Sequence, residues 1–230
     1  MHDKYVFLAF IRERIILVLS MNLWARYRES DGGYQKLSDH LRQTAELSKS
    51  FGKKIHFEFA AQLAGLLHDV GKAAASWQLY FQNSVQGKKQ HKKDHATAGA
   101  QYLVHRLPNT VSLVETAIQA AVMFHHGSGL PDMVGLDGRS EFLERLNKTA
   151  DDTGLNEAKA ALPHEIEREI ALCLNSPDFC DGGKELLASP CKAGCMDADG
   201  KVYCKKSCLT WVCICAIFPA VSSTPTEPTA

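Results

Sequence analysis

The sequence predicts an all-α fold, a helical bundle with a buried metal site, and three observations carry that reading. Apolar residues recur at helical spacing from residue 34 to about residue 168, with Pro scarce. No run shows sustained period-two alternation. Four candidate metal-binding positions, His40, His68-Asp69, His95 and His125-His126, each fall on or beside a different helical segment. Ligands projecting inward from several helices are what a metal site inside a bundle requires.

The elements follow in order. Residues 1–21 read as an N-terminal extension, with Met21 a possible true start, because the globular pattern begins at Trp24. Leu37, Leu41, Ala45 and Leu47 mark a first helix, with Ser38 or Asp39 as candidate caps. Residues 57–67 form a second, which ends on His68-Asp69 with Gly71 as its stop. A third runs over residues 95–107 and is halted by Pro108. A fourth covers residues 111–124 and ends at His125-His126-Gly127. The Gly-rich stretch 127–138, with Pro131, Asp132 and Asp137, reads as a loop beside the site. Residues 140–147 and 164–174 complete the helices, and the domain is expected to span residues 22–190.

Composition narrows the function classes. At 230 residues the chain can bury one good core. Its formal net charge is zero, so nucleic-acid binding must rest on local patches. One such patch is Lys88, Lys89, Lys92 and Lys93 around His91, which also reads as a solvated loop. The apolar runs 5–10 and 15–19 are split by Arg12-Glu13-Arg14, and neither approaches the roughly 20 residues of a membrane span. With no secretion signal evident either, the expectation is a cytoplasmic protein with no membrane partner.

The strongest local signal is Ala64-Gly65-Leu66-Leu67-His68-Asp69-Val70-Gly71-Lys72. A carboxylate can bridge two metal ions, and neutral His nitrogens bind borderline divalent metals. A single His on an apolar helix is more often a satisfied core or surface residue than a ligand. His56, His105 and His164 lack supporting context and read as structural, and His91 competes with His95. His95 is better placed, because it opens a helix whose Ala96, Ala98, Gly99 and Ala100 let neighbours approach closely.

Taken together the pattern resembles the HD superfamily of metal-dependent phosphohydrolases. More narrowly, it is similar to the HD nuclease domain of the CRISPR-associated helicase–nuclease of type I systems. The matching segments are Trp24-Ala25-Arg26, Leu37-Ser38-Asp39-His40-Leu41 and Leu67-His68-Asp69-Val70-Gly71-Lys72. Phe81-Gln82, His95-Ala96-Thr97-Ala98-Gly99-Ala100 and Phe124-His125-His126-Gly127 follow. The resemblance implies two metal ions, one held by His40, His68 and Asp69 with a later Asp, the other by Asp69, His95, His125 and His126. It implies Asp69 and Lys72 as catalytic residues, Lys72 as a cation beside the scissile phosphate. A His-rich shell favours Mn²⁺, Fe²⁺, Ni²⁺ or Co²⁺ over Mg²⁺, which prefers oxygen ligands. The implied activity is cleavage of single-stranded DNA in CRISPR antiviral interference. The implied partners are a helicase domain or subunit and an RNA-guided surveillance complex. A phosphohydrolase acting on nucleotides and a truncated, inactive metal-binding remnant are the alternatives.

The last family ligand is expected from a helix resembling Leu-Phe-Ser-Cys-Leu-Val-Asp-Ala-Asp, which residues 191–230 do not contain. Asp197 and Asp199 lie in a Gly-flanked stretch without an apolar face. Back-translation of residues 210–229 one nucleotide earlier permits a run ending Ser-Ser-Cys-Leu-Val-Asp-Ala-Asp, its first Asp codon straddling Ser223 and Thr224. The tail therefore reads as out-of-frame sequence. That reading also accounts for its cysteines: of eight in the chain, six crowd into residues 191–215. A zinc-binding interaction module is the rival reading of that segment.

Overall fold

The computed structural model describes residues 23–55, 57–107, 113–127 and 137–176. The N-terminal extension, His56, Pro108, most of the Gly-rich loop and the Cys-rich tail with Asp197 lie outside the described residues.

Nine α-helices and one β-hairpin make up the described residues. The first helix, α1 (Leu37–Gly52), buries Leu37, His40, Leu41, Thr44, Ala45, Ser48 and Gly52. That spacing of three and four is one helical stripe, so His40 sits on the core-facing side together with the leucines. Its cap differs from expectation. Lys36 occupies the N-cap position without a side-chain bond, and Asp39 instead lies in the first turn, where its charge complements the helix dipole.

The stripe of α1 packs on α2 (Glu58–Leu67), which is buried nearly all round from Ala60 onward. α2 stops before His68-Asp69. Asp69 leaves helical backbone geometry, and a 3₁₀ turn, Val70–Ala73, carries the chain away. Gly71 lies inside that turn rather than ending the helix, because a Cβ there would collide with the backbone of His95.

A hairpin, β1 (Trp24–Arg28) with β2 (Gly33–Lys36), precedes α1 and is antiparallel, with an irregularity between Trp24 and Arg26. The sequence reading did not expect it. Its strands are too short, and too mixed in burial, to show alternation. A second unexpected element is α3 (Ala75–Val85), which buries Trp77, Gln78 and Phe81. The i, i+4 spacing of Trp77 and Phe81 was the available signal, and their rings stack at 5.3 Å.

α4 (Ala96–Arg106) buries every residue from Ala96 to Leu103. Gly99 permits this closeness, since a Cβ there would strike the carbonyl of Leu67. α5 (Leu113–Met123) packs beside α4 and ends at the turn carrying His125-His126. α6 (Glu141–Leu146) is capped by Ser140, whose hydroxyl accepts from the Leu143 N–H at 3.2 Å. α7 (Ala150–Thr153) and α8 (Leu155–Ala161), also unexpected, meet at Gly154, whose φ is 69°. α9 (His164–Leu174) runs over the residues the sequence predicts. Among the described residues no helix is long and apolar enough to cross a membrane.

Candidate metal centre

Asp69 is the hub of the site, and its two carboxylate oxygens face different partners. Oδ2 lies 2.8 Å from His40 Nε2, 3.1 Å from His68 Nε2 and 3.1 Å from Lys72 Nζ. Oδ1 lies 3.2 Å from His95 Nε2 and 3.5 Å from His125 Nε2. His126 Nε2 completes the second side, 2.9 Å from His95 Nε2. The result is two donor groups sharing one carboxylate: His40, His68 and Asp69, and Asp69, His95, His125 and His126.

The histidines are delivered by the ends and buried faces of several helices. His40 rides the buried stripe of α1. His68 follows α2, and its Nδ1–H donates to the Gly65 carbonyl at 2.8 Å. His125 repeats that device after α5, donating from Nδ1 to the Val122 carbonyl at 2.6 Å. A ring nitrogen facing a carbonyl must carry the proton, so Nε2 of both rings presents a lone pair to the centre. This backbone anchoring fixes tautomer and orientation in the way metal-ligating histidines require.

His95 occupies the N-cap position of α4, and the residue before it supplies the cap that sequence reasoning missed. Asp94 accepts from the Thr97 N–H at 3.2 Å and from the Thr97 hydroxyl at 2.9 Å. It also receives Lys148 at 2.6 Å and Arg145 at 3.5 Å. Burial alone would raise its carboxyl. Hydrogen bonds from Lys148 and Thr97, with the Arg145 charge, outweigh burial and hold it at about 2. An Asp three residues before Thr97 was the legible signal for this cap.

Lys72 is buried, donates to the Ala25 carbonyl at 3.2 Å and lies 5.1 Å from the Trp77 ring centre. Gln78 ties the same region together. Its amide donates to the Lys72 carbonyl at 2.7 Å and the Trp24 carbonyl at 2.9 Å, and its oxygen accepts from the Trp24 N–H at 3.2 Å. Sequence comparison drew attention to Phe81-Gln82 instead. Phe81 is buried, but Gln82 is exposed, and Gln78 is the glutamine that reaches the site.

Protonation suits metal binding. Burial raises the Asp69 carboxyl, yet the adjacent His68 and Lys72 and the hydrogen bond with His40 hold it well below the usual carboxylate range. Burial pushes His68 down, partly offset by Asp69. Burial likewise brings His125 down to about 4. His126 is lowered by desolvation and by the neighbouring His125 and His95 rings. Asp69 is thus ionised and His68, His125 and His126 are neutral near neutral pH, the states that ligate divalent metals.

The spacing of the donor atoms supplies a test of fit. With metal–nitrogen bonds of about 2.1 Å, ligands at right angles stand about 3.0 Å apart and tetrahedral ones about 3.4 Å. The contacts of Asp69 with His40, His68, His95 and His125 run from 2.8 to 3.5 Å, and the donor atoms within each group all lie within 4.8 Å of one another. Asp69 Oδ1 and His125 Nε2 are buried and make no hydrogen bond. Leaving such atoms unsatisfied costs about 1–3 kcal/mol each, and a cation between them would satisfy both. The residues fit a divalent metal.

The family model described as the HD domain matches residues 37–168, more than half the chain and all six of these donors. The chain belongs to the HD domain family. Members are metal-dependent phosphohydrolases, which agrees with the donor chemistry above. A search of curated proteins finds no match. Within the HD domain, His105 and His164 are exposed and away from the donors, and His91 lies in the exposed lysine loop.

Proposed function

We propose that this HD domain is a two-metal phosphodiesterase that cleaves single-stranded DNA in CRISPR interference. The observation that carries the two-metal part is the division of the Asp69 oxygens between two His-rich donor groups. Divalent ions held there would supply an activated water and stabilise the leaving oxygen of an in-line attack. His40, His68 and Asp69 would hold one, and Asp69, His95, His125 and His126 the other. The nitrogen-rich set favours Mn²⁺, Fe²⁺, Ni²⁺ or Co²⁺ over Mg²⁺.

Lys72 would act as a fixed cation. Its ammonium already neutralises Asp69 Oδ2, and its charge lies where a phosphate oxygen approaching the centre would be attracted. The finer reading, DNA rather than a free nucleotide, rests on the sequence resemblance of the Lys72 and His125-His126-Gly127 segments to the nuclease branch. A helicase and an RNA-guided surveillance complex are the partners that branch implies. Residues 22–190 are the proposed catalytic domain, and residues 191–230 an out-of-frame tail that would leave the His40–His68 group without its last carboxylate.

The test is turnover by the full chain with Mn²⁺, offered labelled single-stranded DNA beside nucleoside triphosphates. Cleavage of the strand, abolished by Asp69→Ala, is the expected result. Turnover of triphosphates alone would move the assignment to nucleotide hydrolysis. Metal binding without turnover of either would identify an inactive remnant. Resequencing the gene across codons 185 to 230 tests the tail: the family helix absent from every frame would overturn the out-of-frame reading.

A further inference from the structure

The His126 side of the centre opens into a cleft of about 420 Å³, within the range of ligand-sized cavities. The cleft reaches two of the proposed metal ligands, His95 and His126, and its lining includes Met123 and Phe124. Its charged lining comes from Lys92, Lys93 and Arg145, with Asp94 and Glu141 as the acidic members. These charges are not equivalent. Asp94 is consumed by Lys148, Arg145 and Thr97, and Arg145 is fixed to Asp94 and Thr97 with its guanidinium 4.8 Å from the Phe124 ring centre. Lys92 and Lys93 are exposed and have no ion pair among the described residues. They sit directly before Asp94-His95, so the helix cap that fixes His95 also fixes where this cationic arm leaves the site.

We propose that this cleft and the Lys92-Lys93 arm form a backbone-binding subsite that holds a nucleic-acid single strand next to the reacting phosphodiester. The proposal rests on the phosphodiesterase reading above and names the part of the surface that would tell a polymer from a free nucleotide. A free nucleotide brings only its own short phosphate chain to the metals. A strand carries further phosphates past the centre, and the two ammonium groups are placed to neutralise them. The arm therefore contributes to polymer affinity and not to chemistry at the metals.

The test uses the full chain in EDTA with a fluorescein-labelled oligothymidylate, its affinity followed by anisotropy from about 50 to about 200 mM salt. Lys92→Ala/Lys93→Ala is expected to weaken binding about tenfold. It should also flatten the log–log salt dependence by about 1.4, the loss of two single-strand phosphate contacts. Lys53→Ala/Lys54→Ala removes the same charge about three turns of α1 away from His40 and is expected to leave that slope unchanged. Equal weakening by both pairs, an unchanged slope in the first, or no binding by the unaltered chain would each overturn the subsite. Hydrolysis of bis(4-nitrophenyl) phosphate with Mn²⁺ is measured alongside. Its absence in the unaltered chain would count against the phosphodiesterase reading, whereas equal rates in both variants are expected if the arm serves affinity only.

Discussion

The two halves of the centre use the same carboxylate but differ in depth. On one side His40 and His68 are both buried, 5 % and 0 % exposed, beneath the packed pair α1 and α2. On the other, His95 and His125 are buried, but His126 is exposed at the mouth of a cleft. The difference separates two tasks that one HD motif must perform. The enclosed half is built from core positions and is over-determined by packing. The open half comes from a helix cap and a turn, where backbone is free to meet solvent and an incoming ligand. Among the described residues, one group is enclosed by packing while the other meets a cleft at His126.

The largest expected effect removes what the halves share. Asp69→Ala should abolish Mn²⁺-dependent hydrolysis, by about a thousandfold or more, and lower bound metal at both groups. Metal analysis with circular dichroism checks this. Loss of only one ion would break the bridging assignment.

Replacing one half at a time sharpens the comparison. His125→Ala should empty the open group and spare His40–His68, whereas His40→Ala should do the reverse. His105→Ala should leave metal content unchanged. Equal stoichiometry in all three variants would contradict the division.

A smaller effect probes the scaffold of the open half. Gly71→Ala forces a Cβ against the His95 backbone, and a displacement of that kind costs about 1–3 kcal/mol. The thermal midpoint should fall, with metal lost preferentially from the His95 side.

The smallest effect is electrostatic. Asp94 titrates at about 2 in the fold and near 4 when unfolded, so its depressed value contributes roughly 2 kcal/mol above pH 4. That contribution is lost as pH falls from about 4 through about 2. Asp94→Asn should be less stable at neutral pH and should lack this part of the acid dependence in urea titrations. A variant with the same pH profile as the unaltered chain would show that the cap, not the charge, is what matters.

Legibility varied with periodicity. α9 and the centres of α1, α2, α4 and α5 were readable, because long buried stripes repeat every three or four residues. The hairpin, α3, α7 and α8 were not: each is short or mixed in burial, so its own pattern carries too little signal. The contacts of Gln78 and the ion pairs of Asp94, though not its local cap on Thr97, were missed for a related reason. Their partners lie 54 residues away for Gln78–Trp24 and 51 to 54 for Asp94–Arg145 and Asp94–Lys148, distances at which local spacing is silent.

By itself, then, the sequence determined the helical class and named the candidate donor residues, because ligand chemistry belongs to side-chain type and helix membership to local spacing. Tertiary structure decided how those donors are shared. That Oδ1 and Oδ2 of Asp69 serve different histidines, that His126 is the exposed one and that Lys72 turns inward to Ala25 all depend on the orientation of packed helices, which is set by contacts between segments far apart in the chain.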